Sequence, residues 1–220
     1  MEDTNTKSST TQTNLIGHVQ DVFNTYLTLD PSEVSRVTVL AEQMIDGDQG
    51  LYSRQNMKGH LTASALVLDQ NDRVLLILHN ALKRWLQPGG HLDQGEDPEM
   101  GAKRELIEET GLTEDVIKLH PLHYSAKRQA TSAASHMRAK VLPVDIDSHL
   151  IPVNQAKGEG QHLHHDFQYV YALTSTDFAL KMQEEEISNL KWVDIQDLLD
   201  GQYGVRLKRV ATKIIAAREV

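Results

Sequence analysis

Cysteine is absent from this chain of 220 residues. Its absence excludes disulfide bonds, thiolate metal ligands and cysteine nucleophiles. Long apolar runs are also missing, because no stretch approaches the roughly 20 residues that a membrane-spanning helix needs. Residues 1–14 are rich in Thr, Ser and Asn, and they lack the basic and apolar regions of a secretory signal. We therefore expect a cytoplasmic protein without a membrane partner.

Basic residues are in deficit, since 22 Lys and Arg against 31 Asp and Glu give a net charge of −9. Non-specific binding to nucleic acid depends on basic side chains that neutralise phosphates, so this balance argues against a nucleic-acid partner. An acidic protein can still bind a phosphate compound when its carboxylates hold metal ions, because the metal reverses the local charge. The length suits one domain with an extension or a small second lobe.

The first part of the chain carries two amphipathic segments. Apolar residues recur at helical spacing over 15–26 and again over 34–44. Asp30-Pro31 separates the two segments, and the Gly- and Asp-rich stretch 46–50 ends the pair. Their apolar faces have two interpretations, docking on the main domain or a contact in a homodimer. The predicted divisions are a disordered tail, a helical hairpin and a main domain, at residues 1–13, 14–50 and 51–220.

From His60 onward, strand patterns and helix patterns interleave. Two apolar runs, 61–69 and 73–79, flank a polar turn and predict a β-hairpin, which a loop follows over 79–90. Asp97 as N-cap and Gly111 as a left-handed C-cap predict a helix over 98–110. This order is typical of an α/β or α+β fold with a mixed sheet. Further strands are predicted near 116–124, 138–146, 163–173 and 190–193, and a helix from about Val205.

Helix 98–110 places three carboxylates on one face. Glu105, Glu108 and Glu109 are related by the i, i+3 and i+4 spacings that align side chains along a helix. Like charges at this spacing cost the helix a few tenths of a kcal/mol per pair, roughly, and a merely soluble face would intersperse lysines. Convergent carboxylates form a hard-oxygen site suited to Mg²⁺ or Mn²⁺. Gly90 lets the backbone approach such a ligand closely, and its carbonyl can join the coordination.

The flanking residues extend this cluster into a longer motif. It is Gly90-x5-Glu96-x7-Arg104-Glu105-Leu106-x-Glu108-Glu109-x-Gly111-Leu112. The motif matches the Nudix signature at every specified position, and the stretches 59–62 and 85–91 also resemble the Nudix hydrolase family. This motif, called the Nudix box below, covers residues 90–112. The wider resemblance covers about 50–200, which leaves 1–50 unexplained. It implies the Nudix fold, in which helices sandwich a mixed β-sheet (α/β/α), here with an N-terminal helical extension.

The resemblance implies a hydrolase that cleaves a pyrophosphate bond with the help of Mg²⁺ or Mn²⁺. The substrate class is a nucleoside diphosphate linked to another moiety, and ADP-ribose, nucleotide sugars and nucleoside triphosphates all stay open. Glu105 is the candidate general base, and Arg104 pairs with Glu96 or Glu108 and orients it. Glu96 and Gly111 also support the box structurally. The metal ligands implied are Glu105, Glu108, Glu109 and the Gly90 carbonyl, and the catalytic set is the three glutamates with Arg104.

A histidine-rich segment precedes residue 170 and alternates like a strand. His162, His164, Asp166 and Gln168 share one face of it. One interpretation is a pocket wall in which His162 and His164 bind substrate. A second is a separate transition-metal site that includes His149. The third is a half-exposed strand with its polar residues directed outward.

Three further features each have a functional and a structural interpretation. Trp85 can stack on a nucleobase or serve in packing. Arg84, with Lys83, can contact phosphate or lie in a solvated loop. The run 184–186 can supply the acidic residue that Nudix enzymes often recruit from outside the box, or form a solvated turn. Arg84 and Trp85 therefore join the two histidines as candidate substrate-binding residues.

Two other function classes remain beside the enzyme. One is a non-catalytic, nucleotide-sensing regulator on a Nudix-like fold, and the other is a zinc protein built on the histidines. The intact box, the acidic charge and a C-terminal segment too short for a winged helix favour the enzyme over the regulator.

Overall fold

The computed structural model describes residues 6–125, 128, 141–155 and 158–218, with only the backbone described over 6–15. Within these residues, eight strands form one mixed sheet with helices on both of its faces. The strands are β1 (His60–Leu68), β2 (Arg73–His79), β3 (Arg84–Leu86), β4 (Gly89–His91), β5 (Ile117–Leu119), β6 (Asp145–Ile151), β7 (His162–Leu173) and β8 (Ile187–Asp194). The helices are α1 (Thr6–Leu29), α2 (Thr38–Ile45), α3 (Pro98–Thr110) and α4 (Val205–Ala216). Short 3₁₀ helices span Pro31–Arg36, Glu114–Val116, Pro121–Tyr124 and Ile195–Leu198.

Strand β1 lies at the centre of the sheet. It runs antiparallel to β2 and β4 and parallel to β7. β7 in turn pairs with β5 and β6, and β2 pairs with β3 and β8. Every residue of β1 is buried, because helices cover both faces at this position. The predicted hairpin and the mixed sheet are confirmed.

The two faces of β1 contribute to two separate apolar cores. Leu61, Ala63 and Val67 face the core shared with α1, α2 and α3. Leu66 and Leu68 face the core shared with α4. Side chains alternate across a strand, so one apolar run supplies both layers. The α/β/α layering implied by the family resemblance is therefore confirmed.

The N-terminal helices pack on the domain itself. Val22, Phe23 and Tyr26 of α1 belong to the same buried cluster as Ala102 and Leu106 of α3. This contact corresponds to the docking interpretation of their apolar faces. Helix α1 starts at Thr6, inside the segment predicted to be disordered, because a helix nucleated by packed turns extends at little cost per residue. Residues 1–5 of that predicted tail lie outside the described residues.

Several predicted boundaries need correction. The predicted loop 79–90 contains β3 and most of β4, whose pairing with β2 and β1 outweighs the local Pro and Gly signals. The strand predicted near 116–124 ends at Leu119, since Pro121 begins a 3₁₀ turn. Of the strand predicted near 138–146, residues 138–140 lie outside the described residues, and β6 itself begins at Asp145. Among the described helices, none has both the length and the apolar character needed to cross a membrane.

Candidate active site

Helix α3 is fixed at both ends by the predicted caps. The Asp97 carboxylate accepts hydrogen bonds from the backbone N–H groups of Glu99 (2.8 Å) and Met100 (3.4 Å). At the other end Gly111 has φ of +70°, and its N–H donates to the Ile107 carbonyl. These caps set where the helix begins and ends, and thereby which side chains its inner face presents to the sheet.

Arg104 connects the box carboxylates to one another. Its guanidinium donates to Glu96 (2.8 and 2.9 Å), Glu105 (2.8 Å) and Glu108 (3.2 Å). A further N–H donates to the His91 carbonyl at 3.0 Å. Both proposed partners of Arg104, Glu96 and Glu108, are thus in contact with it. Burial acts to raise the pKa of Glu96, but the hydrogen bond and charge of Arg104 together with the backbone hydrogen bond at Asp93 keep this pKa below its usual value.

The Gly89-Gly90 turn lies directly against the helix. The Gly89 N–H donates to Glu109 Oε2 at 2.9 Å. A Cβ placed on Gly90 would lie 2.5 Å from Glu105 Oε1, so a glycine is required if that carboxylate is to keep its place. The carboxylates of Glu105 and Glu109 therefore lie between helix α3 and the Gly89-Gly90 turn.

Glu105 and Glu109 are buried, at 8% and 1% exposure, and carry an electrostatic penalty when ionised. Burial raises the pKa of Glu109 to about 8, with further contributions from the charges of Glu105 and Glu186. Burial also raises the pKa of Glu105 against the opposing effect of Arg104. A divalent cation would relieve this penalty, and the carboxylate and carbonyl oxygens are hard donors of the kind that Mg²⁺ and Mn²⁺ prefer. The residues present therefore fit such an ion.

Glu186 approaches the same site from outside the box. It belongs to the acidic run 184–186 just before β8, and its carbonyl accepts a hydrogen bond from the Asn80 N–H at 2.8 Å. Its charge raises the pKa of both Glu105 and Glu109. Within the run, Glu186 is thus the residue whose charge acts on the box.

A cleft of about 660 Å³ lies between β3 and the start of α4. Trp85 lines it and is half-buried against the second apolar core, so this residue packs and faces the cleft at once. Lys191 Nζ lies 4.1 Å from the centroid of the Trp85 ring and 3.1 Å from the Tyr203 hydroxyl. Arg84 also lines the cleft, whereas His162 and His164 are not among the described residues that do. The four candidate substrate-binding residues therefore do not form one pocket.

The histidine-rich strand is not half-exposed. His162 and Asp166 are buried, and Asp166 accepts hydrogen bonds from Ser64 (2.7 Å), Gln168 (3.0 Å) and Thr62 (3.2 Å). The third interpretation was wrong because this face of β7, which also carries Val170 of the second apolar core, lies in the interior. Sequence reasoning also missed His60 and His91 as neighbours of His164, since only the pairing of β1 with β7 and β4 brings them together.

Comparison with known proteins agrees with this geometry. The NUDIX domain profile matches residues 58–213, which is more than half of the chain, so the chain belongs to this family. The resemblance to Nudix hydrolases is confirmed.

Curated relatives and a solved structure extend the comparison. A probable DHNTP pyrophosphohydrolase of Lactococcus lactis subsp. cremoris (strain MG1363) is 32% identical over 130 residues, 59% of this chain and 60% of that protein. A putative 8-oxo-dGTP diphosphatase of Bacillus subtilis (strain 168) is 41% identical over 49 residues, 22% of this chain and 33% of that protein. The matches thus span less than two thirds of each relative. The crystal structure of a C. elegans Ap4A hydrolase binary complex shares the fold, with a TM-score of 0.51, 18% identity, and coverage of 72% of this chain and 97% of that one.

Proposed function

We propose that this protein is a metal-dependent hydrolase that cleaves a pyrophosphate bond in a nucleoside diphosphate linked to another moiety. The observation that carries the proposal is the convergence of Glu105 and Glu109 on the Gly89-Gly90 turn, with Glu108 held beside them by Arg104. Membership of the NUDIX domain family, with relatives described as a pyrophosphohydrolase and a diphosphatase, supports it.

Hard oxygen atoms from the helix and the turn would hold Mg²⁺ or Mn²⁺. The ligands we assign are the carboxylates of Glu105, Glu108 and Glu109 and the Gly90 carbonyl, with Glu186 as the acidic residue from outside the box. A cation bound there supplies positive charge for the pyrophosphate oxygens and makes a bound water more acidic. The acidic net charge of the chain is then compatible with a phosphate substrate.

The surrounding residues hold these carboxylates in place. Arg104 fixes Glu105 and Glu108 through charge-assisted hydrogen bonds of 2.8 and 3.2 Å. The Gly89 N–H fixes Glu109, and Glu105 is the residue to which we assign proton removal from the attacking water. Positioning of this kind lowers the barrier because the groups need not reorganise during the reaction.

The cleft beside Trp85 is our candidate for the nucleoside end of the substrate. Strand β3 and Gln87 line the cleft and precede Pro88-Gly89-Gly90 in the sequence, although none of the described lining residues belongs to the box. An aromatic ring there offers a stacking surface, and Arg84 and Lys191 offer positive charge for phosphate. The relatives named for DHNTP and 8-oxo-dGTP favour including nucleoside and pterin triphosphates among the substrates to be tested.

Replacing Glu108 tests the catalytic assignment. The Glu108 side chain is 50% exposed and contacts Arg104 at 3.2 Å, so Glu108→Gln is expected to keep the fold. Loss of one metal-binding charge is expected to lower the turnover rate by at least about 10²-fold. Glu114→Gln is the matched control, because its 71% exposed side chain lies outside the box and forms an ion pair with Lys103 at 3.6 Å.

The measurement is release of phosphate or pyrophosphate from a panel of substrates, with Mg²⁺ or Mn²⁺ and after chelation. The panel contains ADP-ribose, nucleotide sugars, dinucleoside polyphosphates, 8-oxo-dGTP, DHNTP, canonical nucleoside triphosphates and coenzyme A. Equal turnover by folded Glu108→Gln and wild-type protein would overturn the assignment. No hydrolysis across the panel would favour the nucleotide-sensing regulator instead.

A further inference from the structure

Five histidines from four strands meet on one face of the sheet. They are His60 (β1), His91 (β4), His149 (β6), and His162 and His164 (β7). The strand register places His60, His164 and His149 side by side across three neighbouring strands. Ring centroids of His60 lie 4.8–4.9 Å from those of His91, His162 and His164. We call this group the histidine cluster.

The ring nitrogens in the histidine cluster have the spacing of metal ligands. Nε2 of His60 lies 3.1 Å from Nε2 of His91, and Nε2 of His162 lies 3.3 Å from Nε2 of His164. One nitrogen from each of His60, His91 and His164 lies within 4.8 Å of the other two. In tetrahedral zinc sites the metal–nitrogen distance of about 2.0–2.1 Å separates neighbouring nitrogens by about 3.3–3.4 Å. The two short pairs thus have nearly the length of the edges of such a tetrahedron.

Backbone carbonyls set the orientation of two of these rings. Nδ1 of His60 lies 3.3 Å from the Asn56 carbonyl, and Nδ1 of His162 lies 2.7 Å from the Gly160 carbonyl. A carbonyl can only accept a hydrogen bond, so the proton of each neutral ring is on Nδ1 and the lone pair is on Nε2. Histidines that bind metals are commonly oriented in this way by an outer partner. Both lone pairs are directed toward the other imidazoles of the cluster.

The histidine cluster is separate from the box carboxylates. His91 pairs with Thr62 and therefore shares its sheet face, whereas Gly90 pairs with Ala63 and faces α3 from the opposite side. The donors here are imidazole nitrogens, which suit zinc and neighbouring transition metals, while Mg²⁺ prefers oxygen. Asp147 lies 3.3 Å from His149 Nδ1 and places a negative charge beside the cluster.

We infer that His60, His91 and His164, with His162 as the fourth ligand, bind one Zn²⁺ ion or a related transition-metal ion. His149 does not belong to the ligand set; its ring lies edge-on to that of His164, with centroids 5.7 Å apart, and it links the site to Asp147. The ion ties together β1, β4 and β7 at the strand that carries Gly90. Its binding does not depend on the proposed pyrophosphate hydrolysis.

Metal content of tag-free protein tests this inference. Protein stripped with a chelator is equilibrated with Zn²⁺ in the presence of excess Mg²⁺, freed of unbound metal, and analysed by mass spectrometry for bound zinc. We expect about one zinc per chain, and Co²⁺ in its place should give the visible absorption of a tetrahedral site. His164→Ala should lower the bound zinc at least about tenfold. His165→Asn is the matched control, since His165 is buried on the same strand but faces the other side and contacts Ser148 and Gln43.

Two further variants keep the outcome interpretable. His91→Ala removes a half-buried ligand near the end of β4, and it replaces His164→Ala if circular dichroism shows that the latter is unfolded. Glu108→Gln should keep its zinc, because its carboxylate belongs to the other site. Absence of bound zinc from the wild type, or retention of zinc by folded His91→Ala and His164→Ala, would overturn the inference. Loss of zinc from the Glu108→Gln variant would likewise overturn the inference, because the ion would then be assigned to the box carboxylates.

Discussion

A substitution at Gly90 is expected to affect the proposed active site without affecting the folding of the protein. The nearest atoms to a Cβ at this position all belong to the Glu105 carboxyl group, at 2.5–2.7 Å. That carboxyl group is the end of a flexible side chain, which can rotate away without moving the backbone. A methyl group at Gly90 would therefore displace a proposed metal ligand while leaving the core intact.

We expect Gly90→Ala to lose most of its hydrolytic activity while its thermal midpoint stays close to that of the wild type. A displacement of about 1 Å in a catalytic group can cost on the order of 10²-fold in rate. Gly17→Ala is the control, because a Cβ at position 17 meets no atom within 4 Å. Turnover and melting are measured on both variants. Full activity in Gly90→Ala would show that the Glu105 position is not critical.

Sequence periodicity predicted the individual site residues where the geometry is local. Glu105, Glu108 and Glu109 share a face because helical spacing alone brings them together. His60 and His164 are 104 positions apart in the sequence, and their contact depends on the parallel register of β1 and β7. No local pattern encodes that register, so the sequence indicated only His149, His162 and His164 of the histidine cluster and missed His60 and His91.

At the scale of elements, Gly111 at the end of α3 is required for two reasons, its backbone conformation and its close contact with Lys181. Gly111 has φ of +70°, and a Cβ there would lie 2.7 Å from Lys181 Cβ and 2.9 Å from the Lys181 backbone nitrogen. The left-handed conformation itself costs a non-glycine residue about 1–2 kcal/mol. The close approach to Lys181 adds a clash that only a backbone shift can relieve.

Gly47 allows these two effects to be measured separately. It has φ of +67°, but a Cβ there meets nothing within 4 Å. We expect Gly47→Ala to lower the free energy of unfolding by about 1 kcal/mol through backbone strain alone. Gly111→Ala should lower it further, and urea unfolding followed by circular dichroism measures both. Equal losses in the two variants would show that the chain near Lys181 moves aside freely.

Elements with strong local signals were predicted well, and those defined by pairing were not. The caps Asp97 and Gly111 placed the ends of α3 correctly. Strands β3 and β4 have three residues each and lie beside Pro88, so their sequence resembles a loop. Their strand geometry comes from hydrogen bonds to β2 and β1, which are tertiary interactions.

At the scale of the whole molecule, the N-terminal extension braces the box helix. His18 of α1 contacts the carboxylate of Asp97, which caps α3. The family resemblance left residues 1–50 unexplained, and this contact gives the extension a structural role beside the proposed active site.

The extension is also joined to β6 and α4 through Asp145, which is fully buried. Asp145 accepts hydrogen bonds from Lys213 (2.7 Å), Arg209 (2.9 Å) and Arg36 (3.0 Å). Three cations from two separate parts of the chain thus contact one carboxylate, and Glu33 and Asp147 add further negative charge to the same network. Removing its charge leaves them partly buried beside one another, and breaking a buried ion pair in this way costs about 3–5 kcal/mol.

Asp145→Asn is therefore expected to lower the free energy of unfolding by about 3 kcal/mol, although it nearly preserves side-chain volume. Asp46→Asn is the control, since its 70% exposed side chain lies 3.7 Å from Lys58 and an exposed pair contributes at most about 1 kcal/mol. Urea unfolding of both variants, with the slope of the transition checked for two-state behaviour, measures the difference. A loss as small as that of the control would mean that Glu33 and Asp147, which also contact these cations, hold them without Asp145. The double variant Asp145→Asn/Asp147→Asn would then show a larger loss, because no acidic residue of β6 would remain beside the two arginines.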